Sequence, residues 1–166
     1  MITDTIKKNF IGSGYYGTIT PAVILRNVLE NPGWYTAYTP YQPEIAQGRL
    51  EAIFAFQTAV TDLTGLAIAN ASMLDEATAA AEAMTLARRV WQGSDDAAIV
   101  IDTNLHPHVK AVIQTRAKPL KIKVIESDFQ DASFDGEIFA AVIAYPNSTG
   151  EIKDLSKIIS KVQSLS

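Results

Sequence analysis

An α/β fold, with a mostly parallel sheet between two helical layers, is predicted by three features of this sequence. Apolar runs of strand length, at 97–101, 122–125 and 139–144, recur through the second half. Helix-patterned segments, 107–117 and 152–162, alternate with them, and the second carries Leu155, Ile158, Ile159 and Val162 on one face. The connections are short, as in doubly wound three-layer sheets. The run 97–101 is wholly apolar and reads as a buried strand, whereas 122–125 alternates Ile122 and Val124 with lysines.

Composition fits one domain with a real core. The chain has 166 residues, of which 48% are hydrophobic and 19% charged. A net charge of −4 gives no broad attraction to nucleic acid or to an anionic membrane. Cysteine is absent, which removes disulfides and thiolate metal sites. No apolar run approaches the roughly 18 residues of a membrane span, and residues 1–9 lack the apolar centre of a secretory signal. They also lack the Arg-rich, acid-poor character of a transit peptide. The expected organisation is an N-terminal arm with a short helix, 1–42, followed by an α/β domain, 43–166.

The first element after the polar start is a turn. Gly12, Gly14 and Gly17 fall within six positions and permit positive φ. No strand precedes them, so a dinucleotide loop is discounted. Thr20-Pro21 reads as N-cap and first residue of a helix through Leu29, ended by Asn31-Pro32-Gly33. Residues 34–43 then hold four aromatics and two prolines without a charge. Proline stiffens this stretch. It reads either as a loop plugging a core edge or as a rigid arm presenting phenol hydroxyls. A long helix follows from about Pro43 to Thr64, with Ala46, Leu50, Ile53, Phe54, Val60 and Leu63 at helical spacing. Ile45 and Phe56 widen its apolar surface, and Gly65 is placed to end it.

A short apolar run, 66–69, leads into Asn70, Ala71 and Ser72 and then an Ala-rich helix ending near Val90 or Trp91, with Gly93 as its stop. Ser72 and Asp75 are both N-cap candidates and together resemble a capping box. Small residues at such a start leave amides open to an anion, so an anion site is one reading and a plain capped helix the other. Loops at the carboxyl ends of parallel strands carry ligand sites. His106-Pro107 and Tyr145–Asn147 fall on such loops, and Asn70–Ser72 is expected to join them. The two histidines, His106 and His108, have no companion cluster, so no metal site is expected. No serine occupies a nucleophile elbow.

Two stretches, YTPYQPE and NASMLDEATAAAEA, resemble the P-protein family of the glycine cleavage system, glycine dehydrogenase (decarboxylating). IGSGYYGTITPAVILRNVLENPGW and AYPNSTGEIKDL fit the same family. The resemblance runs from about Thr3 to the end. It implies part of the large domain of a pyridoxal-phosphate (PLP) enzyme of aspartate-aminotransferase-like fold type I. The implied enzyme decarboxylates glycine and passes the aminomethyl group to the lipoyl arm of H-protein. The match is to the amino-terminal half of single-chain members or to the smaller subunit of two-subunit members. The family's Schiff-base lysine lies in a His-Lys segment beside a glycine-rich run, and this chain holds no such segment. No residue here is therefore expected to be catalytic by itself. The chain is read as a truncated piece that binds no PLP alone and is completed by the remaining half or second subunit in a dimeric assembly.

By the same resemblance Tyr38, Tyr41, Gln42, Asn70 and Ser72 are expected to contact glycine or cofactor. Thr78 lies where relatives cradle the cofactor phosphate, and His106 where they stack on its ring. The compartment expected is the cytoplasm for a bacterial source and the mitochondrion for a eukaryotic one. The alternative reading is a non-catalytic α/β binding or scaffold module with an anion site at the Asp75 helix.

Overall fold

The computed structural model describes residues 7–15, 17–35, 48–71, 73–129 and 136–165. The chain divides into two units, residues 1–72 and 73–166.

In the first unit, Gly12 and Tyr15 form an isolated antiparallel bridge around a tight turn in which Gly12, Ser13 and Gly14 all have positive φ. Helix α1 has α geometry over Ala22–Ile24 and π geometry over Leu25–Leu29. Its N-cap is Pro21 (φ −57°, ψ 138°), which corrects the expected Thr20 cap by one residue. The pyrrolidine ring fixes φ near this value, and the cap makes no side-chain hydrogen bond. Asn31 Oδ1 then accepts the Gly33 N–H at 2.9 Å and closes the turn.

Helix α2 spans Arg49–Thr64 and follows Gly48, whose φ of 77° interrupts the helix expected to run unbroken from about Pro43. Gly65 at φ 70° donates its N–H to Thr61 O at 2.8 Å, the predicted left-handed end. No residue of α2 is buried, and Phe54 and Phe56 are 59% and 57% exposed. The apolar residues at helical spacing are thus not gathered into a covered face of α2. Its apolar residues are spread around the axis rather than gathered on one stripe, so a single neighbour could not cover them.

The second unit holds the core. Helix α3 covers Glu76–Val90, strand β1 Ala98–Asp102, helix α4 Pro107–Ala117, β2 Lys123–Ser127, β3 Ile138–Val142 and α5 Ser156–Leu165. A 3-10 turn, Lys118–Leu120, closes α4. The strands are parallel in the order β2-β1-β3, and every residue of central β1 is buried. Alternation along β1 sorts its side chains between two faces. Ile99 and Ile101 pack with Ala77, Ala81 and Met84 of α3 and Val109 and Ile113 of α4. Val100 packs on the other face with Phe129 and Ile138, with Ile158 of α5 against them. Helices therefore cover both faces, giving the three layers predicted.

The start of α5 differs from expectation, whereas α3 ends at Val90 as expected. Helix α5 starts at Ser156 rather than Ile152, because Asp154 Oδ1 accepts both the Ser156 N–H (3.0 Å) and its hydroxyl (2.6 Å). Helix α3 ends because Trp91 turns extended (φ −62°, ψ 131°) and its indole donates to Ser94 O at 3.1 Å. No helix among the described residues is long and apolar enough to cross a membrane.

Candidate functional site at the carboxyl edge of the sheet

Strand order β2-β1-β3 makes the gap between β1 and β3 a switch point. Helix α4 leaves β1 over one face, and α5 follows β3 on the other. Chain crossings of this kind leave a crevice beyond the strand ends. Here the crevice is a cavity of about 310 Å³, lined among others by Asp102, Asn104, Tyr145 and Asn147.

Its walls are built by short polar turns. Asp102 ends β1, and its Oδ1 accepts the Asn104 N–H at 2.7 Å. Thr103 N–H donates to Ser127 O at 2.9 Å, tying the β1 loop to β2. Ser148 N–H donates to Asn104 O at 2.9 Å, tying it to the loop after β3. Asn147 organises that loop, since its Oδ1 accepts the N–H groups of Thr149 and Glu151, both at 3.0 Å. Its Nδ2 donates to Glu151 Oε2 at 3.2 Å, and Lys153 Nζ lies 3.0 Å from the same oxygen. These contacts, the lysine's above all, hold the Glu151 carboxyl below its ordinary pKa. The Ser156 hydroxyl and N–H do the same for Asp154. The Tyr145-Pro146 bond is cis.

The starts of α3 and α4 form the second polar cluster. Asp75 caps α3, accepting the Thr78 N–H at 2.7 Å. That bond, then the Thr78 hydroxyl and the nearby His108, lower its pKa. His106 caps α4 without a side-chain bond, Pro107 supplies the first turn, and the His106 and His108 rings stack at 5.6 Å. His106 Nδ1 is buried without a partner.

Of the expected site residues, Thr78 and His106 thus reach this cluster of the second unit. Asn70 belongs to the first unit, where its Oδ1 accepts the Ala71 N–H at 2.7 Å and Gln57 Nε2 holds the neighbouring Ala69 O at 2.6 Å. Tyr38, Tyr41, Gln42 and Ser72 lie outside the described residues. At the start of α3, where an anion site is one expected reading, the protein supplies a carboxylate of its own. Asp75 is itself the anion there, and a phosphate placed beside Thr78 would meet a carboxylate held in its charged form. Asp75 therefore disfavours a second anion at this helix end, and the His108 ring stacks on one face of His106. Among the described residues no cluster of three metal-binding side chains occurs.

Asp102 is a site-building residue that the sequence reading passed over, whereas Asn147 lies on a loop where a ligand site was expected, without a role assigned to it. Their signals were an acidic residue closing an apolar run and an Asn in a Pro-Asn-Ser-Thr-Gly turn.

Comparison with known proteins adds a family. The model of the glycine cleavage system P-protein matches residues 2–166. A glycine dehydrogenase (decarboxylating) of Vibrio parahaemolyticus is 55% identical over 158 residues, which is 95% of this chain and 16% of that protein. One of Nostoc punctiforme is 60% identical over 154 residues, 93% of this chain and 16% of that protein. The chain thus spans about one sixth of these curated relatives. A crystal structure of glycine decarboxylase (P-protein) of the glycine cleavage system, in inhibitor-bound form, superposes with a TM-score of 0.77 at 32% identity. That match covers 95% of this chain and 36% of the solved one. The parallel α/β layers described above are accordingly those of a fold type I domain, and the chain belongs to the glycine cleavage system P-protein family.

Proposed function

We propose that this chain is part of a glycine dehydrogenase (decarboxylating), which decarboxylates glycine and hands the aminomethyl group to the lipoyl arm of H-protein. The observation that carries the reading is identity of 55–60% to enzymes of that name across nearly the whole chain. PLP, when bound in the complete enzyme, supplies the electron sink for decarboxylation. Within this reading Tyr38, Tyr41, Gln42, Asn70 and Ser72 contribute to the substrate side of a shared site, with Thr78 and His106 near its cofactor side. The remaining half or second subunit completes the site in a dimeric assembly, in the cytoplasm of a bacterium or the mitochondrion of a eukaryote.

A chimera tests the activity. The matched segment of the Nostoc punctiforme enzyme is replaced by this chain, and exchange of bicarbonate into the glycine carboxyl is measured with lipoylated H-protein. Retained exchange is expected, and its loss in a chimera that still folds and binds PLP overturns the reading.

By itself the chain is proposed to hold no PLP. Support comes from the charged Asp75 at the start of α3 and from Lys110, whose Nζ lies 3.2 Å from Thr103 O and 3.1 Å from Glu126. Incubation with PLP, borohydride reduction and peptide mapping should yield scattered substoichiometric lysine adducts. One lysine modified in full would reverse this conclusion.

A further inference from the structure

The cavity between β1 and β3 contains a charge that the decarboxylation reading leaves without a task. Asp102 is only 7% exposed and lines the cavity. Its carboxylate accepts one hydrogen bond, from the Asn104 N–H. Among the described residues no cation pairs with it. Its second oxygen is not sealed off, so a charged donor that enters the cavity can reach it and form a charge-assisted bond. The other lining carboxylates differ. Glu151 is paired with Lys153 and Asn147, Asp154 is bonded by Ser156, and Asp128 has contacts of its own. Four carboxylates against the two lysines, Lys153 and Lys157, leave the lining net negative.

We propose that this cavity binds a small primary ammonium compound, with its charged head on Asp102 and its carbon skeleton against Phe129 and Ile158. The volume of about 310 Å³ stands at the lower end for ligand pockets, roughly 300–1,000 Å³. Phe129 and Ile158 supply apolar wall. An organic ammonium fits better than a divalent metal ion, since the described residues offer no cluster of three metal-binding side chains. An ammonium brings three donors on a compact charge, which one half-satisfied carboxylate can anchor.

The experiment titrates the 15N-labelled chain with propylammonium chloride and follows the Asn104 and Ser148 amides by NMR. Sodium propionate and sodium chloride at equal ionic strength are the controls. Saturable shifts with propylammonium alone are expected, at millimolar affinity. Asp102→Asn keeps an acceptor for the Asn104 N–H and should weaken binding at least about tenfold, the scale of one charged hydrogen bond. Absent or unsaturable shifts in the parent chain overturn the proposal, as does a folded Asp102→Asn chain that binds as tightly. Should that variant not fold, the parent chain decides, because equal responses to propylammonium and propionate reject an Asp102 anchor.

Discussion

Oδ1 of Asp75 accepts the backbone N–H of Thr78 at 2.7 Å, so helix α3 carries its own anion at the end where a ligand anion would otherwise sit. The Ala-rich sequence behind it makes a strong helix, and this cap decides where that helix begins. Asp75→Asn keeps an acceptor but loses the charge, and should lower the melting temperature at neutral pH by less than Asp75→Ala does. Asp75→Ala loses the acceptor and should lower it by roughly a few degrees.

Acid should reveal the same cap. Asp75, Glu151 and Asp154 all have pKa values lowered by folding. A lowered value means that the folded chain binds fewer protons than the unfolded one. The stability these groups contribute is therefore complete above the ordinary carboxyl range, about 3.9–4.3, and lost as pH falls through the lowered values. Thermal unfolding followed from pH 7 to 2 should show a plateau and then a decline below about pH 4. The decline should be shallower in Asp75→Asn, and an equally steep one would remove Asp75 from the list of contributors.

Gly93→Ala should destabilise the end of α3. A Cβ at Gly93 would lie 2.4 Å from an indole carbon of Trp91, and that ring is held by its bond to Ser94 O and by packing on the core. Displacing a packed ring of this size costs roughly 1–3 kcal/mol. The melting temperature should fall and tryptophan emission should shift, and an unchanged spectrum would show that the ring accommodates the methyl group freely.

The isolated chain should self-associate. In residues 7–71 none of the described residues is buried, and Phe54, Phe56 and Leu63 are 59%, 57% and 87% exposed. Apolar surface of this extent seeks a cover. Light scattering should report a mass that rises with concentration and falls in Leu63→Lys. A strict monomer at high concentration would contradict this.

Tyr41→Phe, introduced into the complete enzyme, should lower kcat/KM for glycine by about ten- to a hundredfold while leaving the melting temperature nearly unchanged. A hydrogen bond to a charged group contributes roughly 1.5–3 kcal/mol, which converts to that range when made in the transition state. Phe keeps the ring, so a core-plugging role predicts the reverse pattern, full activity with any change in stability. Unchanged kcat/KM would move the proposed contact to Tyr38.

The elements that were legible in the sequence are those written in a local period or a terminal residue. Four residues of the apolar run 97–101 became, with Asp102, the buried central strand, and Gly65 ended α2 by the left-handed conformation that glycine adopts at no steric cost. Asp75 was legible as a cap because capping needs only a side-chain oxygen three residues from an amide. Gly93 was read as the stop of α3, but the helix ends at Trp91, and what requires a glycine at 93 is the closeness of the Trp91 ring.

Sequence alone thus determined the family-specific stretches, the alternation of strands and helices, and which residues are apolar enough for a core. Tertiary structure decided which of them are covered. Ile99 and Phe54 look alike as letters, but Ile99 is 0% exposed between two layers and Phe54 is 59% exposed on a helix with apolar residues all round. Tertiary structure also decided the site at the sheet edge. Asp102 and Asn147 are 45 positions apart in the chain. They meet because β3 crosses over to the far side of β1 from β2, and no local pattern encodes which neighbour a parallel strand will take. Burial and long-range pairing depend on residues far away in sequence, whereas period and capping depend on residues within one turn.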